Sequence, residues 1–589
     1  MREVETATTP GTQDVVRRVR GGSDLVSSLA ERVKRSTLDT RLALAVGIVA
    51  LVASLFRLGA PSLWMDEAFS VALSRAPWST LADAFWSGGE PNMLVYYSLL
   101  HIWLQLTGAL GLPASEFVVR LPSVLFAALS APVVFLLGRR LFGRVAGLAA
   151  ALVFLFNPLQ LEYAQQTRSY ALQVLLVCLT WYALAMAITM PTATEIEARL
   201  MSRTRWWMVF AGFSVLAIYA HLFTLLILLA QVTAFALLLL VPNPWRQAAR
   251  TNLWALGFSV IGIFVAISPL LYASRSGSKT GWLPAPDLGA VASHVSGILL
   301  HGSGKLLVLV AIGLLVVVAL GVAGWLAWRR GALRRGALQA WLGELTKRMD
   351  VFGAAEKRPQ PLLPVLILLL AWLCVPVIVS FVVSLGPLRL FSIRYLVVVV
   401  PAVALLVGGA ISLIRWRAGQ LAAAALVACL ALALAPTYYA RAQVEDWRGP
   451  TRWLETVYQP GDGLVCYNNV QGCQLAVEYY LVTDHSRASF APDSPGVTDL
   501  SRFGTGDPFA NYTEALDPHA LSEFGASHAR LFFIEGRISG AQYAARVLAV
   551  QRWFDCRYSY VAGKATAVVT IRLYDTASPR AACALPPSA

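Results

Sequence analysis

Trp207–Val241 reads WMVFAGFSVLAIYAHLFTLLILLAQVTAFALLLLV, without one Asp, Glu, Lys or Arg. As a single helix rising about 1.5 Å per residue it would span roughly 50 Å, against a bilayer hydrocarbon core of about 30 Å. The run therefore predicts two membrane-crossing helices that turn near Ala220-His221. Further hydrophobic runs lie near 41–59, 117–137, 145–161, 170–190, 254–273, 304–324, 361–384, 395–414 and 420–437. Together they predict a mostly α, polytopic membrane protein of about eleven transmembrane helices. Composition agrees: 57% of the 589 residues are hydrophobic and 14% charged, with a mean hydropathy of +0.61.

The net charge of +15 is explained by topology. With the N-terminus cytoplasmic, the inner connections carry Arg139, Arg140 and Arg144; Arg199, Arg203 and Arg205; Arg246 and Arg250; the basic 325–360 loop; and Arg415 with Arg417. Every basic cluster between spans then falls on one side, as the positive-inside rule requires. The agreement requires that 93–111, aromatic-rich and bearing His101 and Gln105, lies at the interface without crossing. No nucleic-acid motif accompanies the basic residues, so nucleic acid is not an expected partner.

Three regions follow. Residues 1–40 show no cleavable-signal pattern and read as a cytoplasmic tail, either lying on anionic lipid or disordered. Residues 41–437 form the membrane domain, with a long first outer loop at 60–116. Residues 438–589 alternate short apolar runs with polar turns and read as a small extracytoplasmic α/β domain. Its strands are placed at 464–467, 531–534 and 568–573, and its helices at 446–457, 475–481 and 541–550. Cys466, Cys473, Cys556 and Cys583 fall in this domain, allow three pairings and suit disulfides in an oxidising compartment. Cys178, Cys374 and Cys429 lie in apolar runs and read as packing residues.

Asp66 and Glu67 stand out in the first outer loop, because adjacent carboxylates at a membrane boundary are functional candidates. They also suit a helix start, where acids complement the helix dipole. Arg120, Glu162, Arg168, Lys279, Arg389 and Arg394 fall on the same face. Each cation fits two readings: snorkelling at the interface, or holding an anion. His221 and His101 each suit a structural hydrogen bond or a substrate contact. Asn511-Tyr512-Thr513 matches a glycosylation sequon, a pattern common by chance.

Several segments in order resemble the GT-C membrane glycosyltransferases, near the protein O-mannosyltransferase and aminoarabinose-transferase branch. They are Leu63-Trp64-Met65-Asp66-Glu67-Ala68-Phe69-Ser70; Glu90-Pro91-Asn92 with Tyr96-Tyr97; Glu116 to Arg120-Leu121-Pro122-Ser123; Gly138-Arg139-Arg140 to Arg144; Asn157-Pro158 with Tyr163-Ala164-Gln165-Gln166-Thr167-Arg168; and Ser392-Ile393-Arg394-Tyr395. Two of them depart from the family pattern. Gln166 stands where the family usually has an acid, and Pro91-Asn92-Met93 replaces a His-Pro-Pro.

The resemblance implies the GT-C fold and a multi-pass protein of the bacterial plasma membrane. The implied reaction is inverting transfer of a sugar from a polyprenyl-phosphate donor to a hydroxyl of an extracytoplasmic lipid, glycan or protein. It implies Asp66 as general base, with Glu67 beside it. Arg394, then Arg120, Arg168, Arg389 and Lys279, would hold the donor phosphate. Trp64, Tyr96, Tyr97, Glu162 and His221 would line the substrate site, and no metal or other cofactor is expected. A lipid-linked saccharide transporter and an inactive membrane scaffold are the alternatives. A transporter would need polar groups at mid-span, whereas the charges here cluster at span ends.

Overall fold

The computed structural model describes residues 37–189, 196–276, 280, 283–300, 359–414, 417–440, 444–467, 473–483, 518–536, 541–580 and 583. The 304–324 run, Lys279 and the 511–513 sequon lie outside them.

The described runs become helices. The first is α1 (Thr37–Leu55). The outer loop folds into α2 (Met65–Arg75), α3 (Trp78–Trp86) and α4 (Leu94–Ala109). The next membrane helices are α5 (Glu116–Phe142), α6 (Arg144–Leu155), α7 (Pro158–Ala164) and α8 (Tyr170–Thr189). The long apolar run divides where the span arithmetic places the turn, into α9 (Ile196–Ala220) and α10 (Thr224–Leu240). Then come α11 (Arg246–Thr251), α12 (Leu253–Ala273), α13 (Leu288–Leu300) and α14 (Leu362–Ser384). The last two are α15 (Ile393–Ser412) and α16 (Arg417–Tyr439). Among the described residues, seven helices have the length and apolarity to cross a membrane, or eight if α6 and α7, bent by 62°, form one span. At 16 residues, α4 is not among them.

Burial separates centre from rim. In α8 and α15, 78% of the core window is buried, against 22% in α1 and α12 and 17% in α16. The apolar faces of the rim helices, such as Trp254, Phe258 and Val265 on α12, point outward, as they must in lipid. Cys374 and Cys429 are exposed on such faces and so are not packing residues, whereas Cys178 is buried.

Two poles result. At one, Asp39 at the start of α1 pairs with Arg139 and with Arg144 (2.5 Å), while Arg140 bonds the last carbonyl of α8. The turn between α5 and α6 passes through Gly143 at φ 104°, a conformation that favours glycine. The two helices then close tightly: a Cβ on Gly147 would lie 2.5 Å from the backbone nitrogen of Arg139. At the opposite pole the ends of α1, α7, α9 and α16 meet the starts of α2, α5, α8, α10 and α15.

Beyond α16 the chain builds α17 (Arg448–Val457), β1 (Gly463–Tyr467), α18 (Cys473–Thr483), α19 (Pro518–Ser527), β2 (Arg530–Glu535), α20 (Ala541–Arg557), β3 (Ser559–Ala565) and β4 (Thr570–Asp575). The sheet runs β1-β2-β4-β3. The β1–β2 pair is parallel and the others are antiparallel. Cys466 pairs with Cys473 and Cys556 with Cys583. Two elements escape the sequence reading, α19 and the edge strand β3. Side chains along β3 are exposed on both faces, so it carries no alternation to detect.

Candidate active site

The loop entering α2 determines the site. From Ser62 to Ser70 every residue is buried except Asp66, which keeps part of its carboxylate open. Glu67, the third residue of α2, reaches back to accept the Trp64 N–H at 3.4 Å. Helix geometry turns its neighbour Asp66 about 100° away around the helix axis.

Glu67 is completely enclosed. It accepts from Arg120 Nε (2.8 Å) and Nη2 (2.7 Å), and from the Thr167 N–H (2.7 Å). Arg120 also donates to the carbonyls of Leu58, Pro61 and Ser62 at 2.9–3.0 Å. A guanidinium has five N–H donors, and these bonds use all five. Arg120, expected among the phosphate-binding cations, thus has no donor left for a phosphate. Glu67, expected beside Asp66 in catalysis, is sealed into the same pair.

Asp66 meets the other cations. Arg394, at the start of α15, places Nη1 3.3 Å from Asp66 Oδ2, and Arg168 Nη2 lies 3.9 Å from the same oxygen. Arg168 also donates to Ser70 Oγ (3.1 Å) and to the Tyr97 hydroxyl (3.4 Å). Its Nε is buried with no hydrogen-bond partner among the described residues. The Arg394 guanidinium lies over the Trp64 ring, 5.6 Å from its centroid, a favourable cation–π geometry. Its charge is also felt by Glu162.

The remaining expected residues divide. Glu162 sits on α7, whose start is fixed by Asn157: its side chain accepts the N–H groups of Leu159 and Gln160. Gln166, where the family pattern has an acid, places its Nε2 3.5 Å from Glu162 Oε1. His221 occupies the turn between α9 and α10, its ring 5.1 Å from Tyr395 and 5.8 Å from Tyr170. Burial, then the charges of Arg168 and Arg394, push its pKa down to about 3, so the imidazole is neutral. Tyr97 joins the Asp66 group, whereas Tyr96 turns away to bond Ser123 (3.1 Å). Burial raises the pKa of both phenols, which stay protonated. His101 bonds the Ser74 carbonyl. Arg389 donates to the Ser384 carbonyl near the end of α14; no described ion pair joins it to Asp66.

A cavity of about 230 Å³ lies on the Glu67–Arg120 side of the loop, with Trp64, Glu67, Arg120, Glu162, Gln166 and Tyr438 in its wall; Asp66, Arg168 and Arg394 are not among its lining residues. Among the described residues no three His, Cys, Asp or Glu side chains gather as a metal site. Glu90, which stands in the resembling segment Glu90-Pro91-Asn92 but is not among the expected site residues, sits close enough for its charge to act on Arg168 and Tyr97. The arrangement offers the partly open Asp66 carboxylate against two guanidiniums, with Glu162, aromatic walls and a neutral histidine beside them. That set can accept a proton and hold an anion side by side.

Fold and sequence comparisons converge on one class: the chain has the GT-C fold and is a multi-pass membrane protein. A family model described as dolichyl-phosphate-mannose-protein mannosyltransferase matches residues 97–272. Among solved structures, ArnT from Cupriavidus metallidurans in the apo state is similar at a TM-score of 0.55 and 16% identity, covering 91% of this chain and 98% of that one. ArnT bound to undecaprenyl phosphate gives 0.49 at 16% identity, covering 90% and 97%. The oligosaccharyltransferase of Archaeoglobus fulgidus gives 0.46 at 14% identity, covering 90% and 73%. Comparison with curated protein sequences finds no match.

Proposed function

We propose that this chain is an inverting glycosyltransferase that moves a sugar from a polyprenyl phosphate to an extracytoplasmic hydroxyl. The observation that carries the reading is Asp66: the one partly open residue in a buried stretch, held against Arg394 and Arg168. The acceptor O–H gives its proton to the Asp66 carboxylate as its oxygen bonds to the anomeric carbon. The bond from that carbon to the phosphate oxygen breaks, and the phosphate leaves with the electron pair. Arg394 and Arg168 stabilise the growing charge. An incoming phosphate competes for both guanidiniums and so frees Asp66 Oδ2 to take the proton. Glu67 and Arg120 serve here as the scaffold of the loop. The family model matching residues 97–272, whose description names a dolichyl-phosphate sugar, supports the choice of donor class. In this reading the N-terminus is cytoplasmic, and the site and C-terminal domain face outward from a bacterial plasma membrane.

The test uses purified protein in nanodiscs with a panel of labelled polyprenyl-phosphate sugars, Asp66→Asn beside wild type. Label should leave one donor, and the variant should lose about 10²–10⁴-fold in rate. If no donor reacts, with or without crude membrane acceptors, the transfer reading fails. If the variant keeps its rate, Asp66 is not the base.

A further inference from the structure

The loop that carries Asp66 is held from two directions. From the membrane domain, Arg120 takes its carbonyls. From the other side, the donors and hydroxyls of the same loop are met by residues that follow the last span. The Met65 N–H, one of the unsatisfied donors at the start of α2, bonds Glu445 Oε2 at 3.1 Å. The same oxygen accepts the Trp447 indole N–H at 2.7 Å. The Leu63 N–H bonds the Tyr480 hydroxyl at 2.7 Å. Ser62 Oγ pairs with that hydroxyl at 2.8 Å and accepts the N–H groups of Trp447 (3.1 Å) and Arg448 (3.2 Å).

Further contacts seat the clasp. Arg448 pairs with Glu116 at the start of α5 (2.8 Å). The Tyr479 hydroxyl donates to the Ala114 carbonyl at 2.6 Å. Helix α18, which carries both tyrosines, packs on α2 and is joined to β1 through Cys466–Cys473. Glu445, Trp447, Tyr479 and Tyr480 are all buried. Ordering a loop costs about 1–2 kcal/mol of backbone entropy per residue, and these bonds oppose that cost at the residues next to Asp66.

We propose that the C-terminal domain completes the active site: Glu445 and Tyr480 are positioning residues that hold the Asp66 loop against Arg394 and Arg168. They touch no reacting atom and act through Met65 and Leu63. This rests on the transfer reading for its kinetic consequence but not for its structural content.

The test has two readouts on the full chain in nanodiscs. The first needs no substrate: amide hydrogen exchange of residues 58–70 in wild type, Glu445→Ala, Glu445→Gln and Tyr480→Phe. Exchange should accelerate at least tenfold in Glu445→Ala and Tyr480→Phe. Glu445→Gln, whose amide oxygen still accepts both bonds, should stay near wild type. Exchange unchanged in the first two variants overturns the proposal. The second readout is transfer from whichever labelled donor reacts with wild type. Glu445→Ala should lower kcat on the order of 10²-fold, the cost of about 1 Å of misplacement, with donor KM within threefold and recovery in Glu445→Gln. A rise in KM alone, or accelerated exchange with unchanged kcat, also overturns it. If Glu445→Ala fails to fold, Tyr480→Phe, which removes one oxygen, decides in its place. If wild type transfers no sugar, the transfer reading falls and exchange alone decides whether the clasp holds the loop.

Discussion

At the scale of single residues, Asp66 and Glu67 have opposite fates one position apart. Glu67 and Arg120 form a buried pair whose hydrogen bonds are all made within the protein. Removing one partner of such a pair costs about 3–5 kcal/mol, because the other charge stays buried and unmatched. Arg120→Ala should therefore lower the thermal unfolding temperature in detergent sharply. Arg394→Ala should leave unfolding nearly unchanged, since its partner Asp66 is partly solvated. Transfer should reverse the order among folded variants. Arg394→Lys loses the planar fork that matches phosphate and should lower kcat/KM by about 10–100-fold, the worth of one charged hydrogen bond. If Arg394→Lys transfers at the wild-type rate, Arg394 is not the phosphate clamp. The sequence alone could mark both acids but could not divide their roles. Arg120 lies 53 positions from Glu67, and nothing in local spacing shows that one carboxylate meets it and the other does not.

At the scale of elements, the hydrophobic runs were legible because lipid imposes length and apolarity on each helix separately. The break at His221 followed from length alone. The bend between α6 and α7 was less visible, although Asn157-Pro158 is a strong helix start. What that bend does depends on tertiary contact: it brings Gln165 to the end of α1, where its Nε2 bonds the carbonyls of Ser54 (2.7 Å) and Phe56 (2.8 Å). The α5–α6 seam makes a further prediction. Gly147→Ala pushes a methyl group into the backbone of Arg139 and should destabilise by about 1–3 kcal/mol. Gly212→Ala on α9 meets open space and should be neutral or slightly stabilising. Thermal unfolding of the two single variants in the same detergent decides. Equal stability would mean the seam opens without cost.

At the scale of the whole molecule, charge separates the two poles. Asp39 with its arginines stands at one end, and the Asp66 cluster with the C-terminal domain stands at the other. The proposed orientation puts β3 outside the cell. In a background lacking Cys374 and Cys429, Lys564→Cys should react with a membrane-impermeant maleimide in intact cells. Arg250→Cys, on α11, should react only after permeabilisation. The reverse pattern would invert the topology. The basic loops predict the polarity, which the labelling tests; the role of the last domain was not legible, since its contacts with the first loop join residues up to 418 positions apart. That separation has a consequence in time. The ribosome makes Asp66 early and the first residue of its clasp 380 positions after Met65. A chain inserted only through its final span holds the Asp66 loop from the membrane side alone, and on the proposed clasp it becomes competent only when the terminal domain has folded onto it. If the proposed transfer holds, biogenesis thus supplies its own safety catch, keeping half-built copies from consuming the lipid-linked sugar around them.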